Sequence, residues 1–165
     1  MIHKPFNGQI TENFHSKEFQ CHDVLVKEVP GCYTSNMIYL ATQLQVIKDV
    51  LEIPQLRINS GYRTKQYNKN IGDTENSNHL TCMAADITQD KFSNEKFYQH
   101  ILKLVHFNLI PDGEIIKYQT FVHYSPQFDW RHLPQQNLSG DSALITYNKP
   151  RKYAIIKTQK LTFKD

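Results

Sequence analysis

The sequence predicts an α+β domain, a small antiparallel sheet with helices packed on one side. Three observations carry that reading. Two stretches repeat apolar residues at helical spacing. Several short runs are patterned as strands. The reversals between the later runs are tight. With 165 residues the chain has enough length for one domain with a real core, and positions 1–165 read as that single domain.

The elements follow in order. "TENFHSKEFQCHD" opens the ordered part, with Phe14 and Phe19 as an apolar anchor for a short N-terminal helix or turn. From Ser35 to Glu52, Met37, Leu40, Ala41, Leu44, Ile47 and Leu51 recur at three- and four-residue steps, one apolar helical face, and Pro54 ends it. "LRINS" alternates and reads as a strand; Gly61 turns the chain; "RTKQYNKN" begins another helix. Asn70 to Asn78 is a polar loop, and "MAADIT" is a strand buried on at least one side. A second amphipathic helix runs from Asn94 to His106 with Ser93 as N-cap and Phe97, Ile101, Leu104 and Val105 inside. "GEIIKY" and "FVHYS", separated by "QT", form a hairpin. Residues 126–165 read as an irregular segment followed by strands at "KYAIIK" and "KLTF".

Composition excludes several classes of function. Hydrophobic residues make up 39%, which suits a folded domain rather than a disordered one. A net charge of +3, from scattered rather than clustered lysines, is no nucleic-acid footprint. No apolar run approaches the roughly 18 residues of a membrane span, so no membrane insertion is expected. The opening "MIHKPFNGQITENF" has no apolar core of a signal peptide, so synthesis in the cytoplasm is expected. Three cysteines, Cys21, Cys32 and Cys82, do not read as a disulfide framework, although oxidation would let Cys21 and Cys32 pair.

The chemistry concentrates in "SNHLTCMAAD", where His79 stands seven residues ahead of Asp86. A catalytic zinc takes three protein ligands and leaves a fourth position open. His79 and Asp86 offer two, across a loop-to-strand transition that lets them converge. His123, inside the apolar run "TFVHYS", offers a third. Spacing alone leaves a second reading open for each: a loop histidine, a helix cap, and a core histidine satisfied by a hydrogen bond.

Across "INSGYRTKQYNKNIGDTENSNHLTCMAADI" the chain resembles the zinc D-alanyl-D-alanine carboxypeptidases and related phage endolysins, whose fold is shared with the hedgehog signalling domain. Ser60, Gly61, Tyr62 and Arg63 match that family's Ser-Gly-Tyr-Arg. Ser77, His79, Ala84 and Asp86 match its Ser-x-His-x-x-Gly-x-Ala-x-Asp. "NFHSKEFQC" and "FVHYS" are similar to the opening and the late strand of one branch, so the resemblance spans about residues 13–125. It implies that His79, Asp86 and His123 hold one Zn²⁺, that Arg63 faces the scissile carbonyl or a substrate carboxylate, and that Tyr62 and Ser77 line the site.

Two departures stand out. Cys82 occupies the family's glycine, and either packs as a small residue or brings a thiolate near the metal. The family's general base, an acidic residue or a histidine near the third ligand, has no counterpart among Gln119, Thr120 and Ser125, and Lys117 stands where related sequences carry Glu. Glu114 and Asp129 are the replacement candidates, Asp129 in a loop with His132. Weaker motifs are "CHD" at Cys21–Asp23 with Cys32, whose spacing matches no structural zinc pattern and reads as buried free cysteines rather than a second metal cluster, "LSGDS" as turn formers, and Trp130 as a glycan-stacking or loop-packing residue.

The resulting expectation is a zinc metallopeptidase that hydrolyses peptide bonds in peptidoglycan stem peptides, acting at the cell wall after phage-type lysis or within a virion. The alternative is a catalytically impaired relative that binds peptidoglycan or serves among other phage structural proteins.

Overall fold

The computed structural model describes residues 4–132. "LSGDS", "KYAIIK" and "KLTF" lie outside the described residues, as does any test of the 1–165 domain extent.

Helix α1 runs Thr34–Val50, α2 Lys65–Asn70 and α3 Asn94–His106; strands are β1 Leu56–Ser60, β2 Ala85–Gln89, β3 Gly113–Lys117 and β4 Val122–Pro126. The expected helix at Ser35–Glu52 starts one residue earlier and ends at Val50. Leu51 N–H bonds back to Ile47, and Glu52 takes a positive φ of 51° that turns the chain out of the helix. The third helix keeps its expected bounds, capped by the Ser93 hydroxyl, which accepts from Lys96 N–H.

All four strands are antiparallel in the order β1-β2-β4-β3. Period-two alternation divides the sheet into two unlike faces. Ile58, Ala85, Ile87, Val122, Tyr124 and Ile115 point to one face, where they join Met37, Leu40 and Leu44 of α1 and Phe97, Ile101 and Leu104 of α3 in the apolar core. Asp86, His123, Ser125, Glu114 and Ile116 point to the other. The hairpin is longer than its two-residue spacer suggests: the named strands stop at Lys117 and resume at Val122, and Tyr118 N–H still bonds Phe121 C=O.

The expected N-terminal anchor is a 3-10 turn at Ser16–Phe19. Phe14 and Phe19 are fully buried and meet edge to face. His15 caps the turn, and Glu18 reaches back to the His15 N–H. Its docking explains Gly61. A Cβ there would come within 2.8 Å of Phe19 Cα, and Tyr62 N–H donates to Phe19 C=O. Any side chain at position 61 would push the turn off the end of β1.

Candidate metal centre

The triad is built from three separate elements. Asp86 and His123 are directly opposite on β2 and β4, so one face presents both. His79 comes from the 3-10 turn Asn78–Thr81. Its ring is buried, and Nδ1–H donates to Gly61 C=O at 2.6 Å. That bond fixes the tautomer and leaves the Nε2 lone pair free to bind a metal.

The donor atoms converge. His79 Nε2 is 3.3 Å from His123 Nδ1 and 3.3 Å from Asp86 Oδ1, while His123 Nδ1 is 2.9 Å from Asp86 Oδ1. Two nitrogens and an oxygen at the corners of a tetrahedron with zinc-length spokes stand about 3.3–3.5 Å apart. The triangle found here is close to one face of that tetrahedron. All three residues are buried, and they are the only such group of potential ligands among the described residues. The donor set therefore fits zinc.

The second oxygen of Asp86 is held by Arg63. Arg63 Nη2 donates to Asp86 Oδ2 at 2.5 Å, Nη1 to Asp73 Oδ2 at 2.8 Å, and Nε to Ser60 Oγ at 2.9 Å. Burial opposes ionisation of Asp86. The hydrogen bond from His123 and the nearby Arg63 charge outweigh it, holding the carboxyl well below the usual range. Ser60 reaches this cluster because β1 bulges. Arg57, Ile58 and Ser60 oppose Thr88, Ile87 and Asp86 in turn, so Asn59 is the extra residue and Ser60 turns onto the site face.

A family model for Peptidase M15 matches residues 12–125, well over half of the chain. The chain belongs to the Peptidase M15 family. No match was found among curated proteins or among solved structures. In this M15 chain the three expected ligands are brought together, and so is Arg63, although its guanidinium is turned to Asp86 and Asp73. Ser77 approaches Asp73 and so touches the same network from outside. Tyr62 is placed differently from the expectation. Its ring is buried against Tyr33 at 6.1 Å, within the apolar core, and burial pushes its phenol up.

The two base candidates have separate fates. Glu114 Oε1 lies 3.1 Å from His123 Nε2, an ion-pair distance, but off the line of a hydrogen bond, so that buried nitrogen makes none. Glu114 sits one rung along the hairpin from His123 on the same face, and its side chain is 55% exposed. Asp129 is instead clamped by Arg131 through Nε and Nη2, which lowers its pKa to about 2. Its backbone N–H donates to the Tyr39 hydroxyl on α1. His132 also faces away, its backbone carbonyl accepting from Gln43 of α1. Lys117 points to the helix side of the sheet and pairs with Glu95 of α3, so its charge stays out of the site.

Cys82 adopts a left-handed conformation with φ of 58° at the end of the His79 turn, which is the backbone a glycine favours. Its thiol is buried, which pushes it up to about 12, and it is not part of the group of converging donors. The "CHD" motif and Cys32 form no metal cluster among the described residues. His22 Nε2–H donates to Asn59 C=O, Asp23 accepts from the Thr64 hydroxyl and Leu25 N–H, and the cysteines are free. Sequence reasoning missed Asp73, Ser60 as an Arg63 partner, and the Gly61 carbonyl. Asp73 left a faint signal as an acidic residue in the loop between the Arg63 and His79 motifs; a backbone carbonyl leaves none.

Proposed function

We propose that this M15 protein is a zinc metallopeptidase that hydrolyses a peptide bond in peptidoglycan stem peptides, next to a D-amino acid. The observation that carries it is the buried His79–Asp86–His123 triangle, with the Glu114 carboxylate beside the other nitrogen, Nε2, of the His123 ring. Zinc held by the triad supplies a Lewis acid and lowers the pKa of bound water. The chain's own residues do the rest. Glu114 accepts the proton of the attacking water and returns it to the leaving amine as the C–N bond breaks. His123 holds its ring between Asp86 and Glu114. Arg63 acts through Asp86, fixing the carboxylate so that Oδ1 faces the other two donors; this positioning takes precedence over direct contact with the developing oxyanion.

The Glu114 carboxylate beside His123 supports the enzyme over the impaired, binding-only relative. The resemblance to phage endolysins supports action at the cell wall after lysis or from a virion. No helix among the described residues is long and apolar enough to cross a membrane. The test is digestion of purified peptidoglycan by wild type and His79→Ala, with the new amine and carboxyl ends identified by mass spectrometry. Release of stem-peptide fragments by the wild type alone is expected; equal release by both proteins, or none by either, contradicts the proposal.

A further inference from the structure

Between His79 and Asp86 the chain passes through one residue in a backbone that a side chain disfavours. Cys82 has φ 58° and ψ 33°, the left-handed region that glycine enters freely and other residues resist. Relaxation there would swing the peptide units on either side. His79 would move with the first, and the approach to Asp86 with the second. Both neighbours of Cys82 are tied by side chains from elsewhere in the fold. Before it, Thr81 C=O accepts from Asn36 Nδ2 at 2.9 Å. After it, Met83 C=O accepts from Ser125 Oγ at 2.9 Å. Asn36 stands in the first turn of α1. Ser125 is buried on β4, two residues beyond His123 on the face that carries the triad. Satisfying a stray carbonyl would explain either bond alone. It does not explain why the two fall one residue to each side of the strained position, between two of the converging donors.

We propose that Asn36 and Ser125 are positioning residues for the metal centre, clamping the chain on both sides of Cys82 so that His79 and Asp86 keep the spacing zinc needs. The proposal rests on the zinc reading of the triad above. Neither residue is among the converging donors; each acts through a backbone carbonyl. The bonds that Cys82 N–H makes to His79 C=O and Met83 N–H to Asn78 C=O stay within the segment, so they do not fix it to the rest of the fold. Ser125 fixes it to β4, the strand that carries His123. One strand thereby holds one donor directly and the lead-in to another. Asn36 fixes it to α1, which otherwise faces the core. Loss of either donor lets Cys82 relax towards ordinary backbone and spreads the triangle.

The test reads zinc affinity, by competition with a chelator, alongside Tm of the metal-free protein. Asn36→Asp keeps the size of the side chain but cannot donate, and a carboxylate in the first turn does not weaken a helix. Ser125→Ala removes the hydroxyl. Thr42→Ala is the control, because it deletes a buried hydroxyl that donates to Ile38 C=O within α1. Asn36→Asp and Ser125→Ala should each bind zinc about 10- to 100-fold more weakly. Thr42→Ala should lower Tm and leave zinc affinity at the wild-type level. Zinc affinity unchanged in both clamp variants, or an equal loss in Thr42→Ala, overturns the clamp. If wild type takes up no zinc, it is the zinc reading that fails, and hydrogen exchange of the metal-free protein decides the clamp. The Cys82 and Met83 amides must then exchange about 10-fold faster in Asn36→Asp and Ser125→Ala while the amides of α3 keep their rates. Unchanged exchange at Cys82 and Met83 overturns it.

Discussion

The metal triad has a closed side and an open side. On the closed side His79, Asp86 and Arg63 are buried; His79 Nδ1 is held by Gly61 C=O, Asp86 by Arg63, and Arg63 also by Ser60 and Asp73. On the open side the buried His123 meets Glu114, and Glu114, Ile116 and Tyr118 on the same hairpin are reached by solvent. The first arrangement suits holding ligands in one geometry, because buried polar groups that are fully paired have no alternative to adopt. The second suits contact with a substrate and movement of a proton. Substitutions on the two sides should accordingly fail in different ways.

The largest effect is expected on the closed side. Asp86→Ala removes a ligand and strands Arg63 in a buried site, so about 3–5 kcal/mol of stability should go, together with zinc; urea unfolding and metal analysis read both. On the open side, Glu114→Gln should lower kcat about 100- to 10,000-fold while leaving Tm and zinc content near wild type. A Glu114→Gln protein that loses zinc instead would erase the distinction between the sides. Arg63→Lys keeps the charge but not the fork that serves Asp86, Asp73 and Ser60 together. A loss of about 10- to 100-fold in zinc affinity is expected, measured by competition with a chelator.

The smallest effect concerns acid. The Asp86 pKa is depressed in the fold, so its contribution to metal-free stability is complete above the unfolded value of about 3.9 and is lost as pH falls towards the folded one. Tm of the metal-free protein should fall from about pH 5 downwards. Asp86→Asn should fall less steeply over the same range; parallel curves would mean the Arg63–Asp86 pair is not what acid breaks.

The two sides also differed in how far the sequence revealed them. The apolar spacing of α1 and α3 and the alternation of "LRINS" were legible because burial enforces them directly. The converging group of His79, Asp86 and His123 was legible because metal-binding chemistry admits few residue types, and the Ser-Gly-Tyr-Arg match tied Arg63 to it. What Arg63 touches was not legible. Its partners depend on a single extra residue at Asn59, and a bulge leaves no mark in composition. The packing of Tyr62 against Tyr33 was not legible for a related reason: Gly61 N-terminal to it turns the backbone against Phe19. Where Glu114 and Asp129 lie could not be told apart from sequence, since it depends on the length of the hairpin turn and on the Arg131 clamp.

The account depends most on the triangle of His79, Asp86 and His123 being a zinc site. The most direct measurement is the zinc content of purified wild type and His123→Ala after equilibration with zinc and removal of loosely held metal. One zinc per wild-type chain and none in His123→Ala is the predicted result. A wild type that retains no zinc, or a variant that retains as much as the wild type, would contradict it.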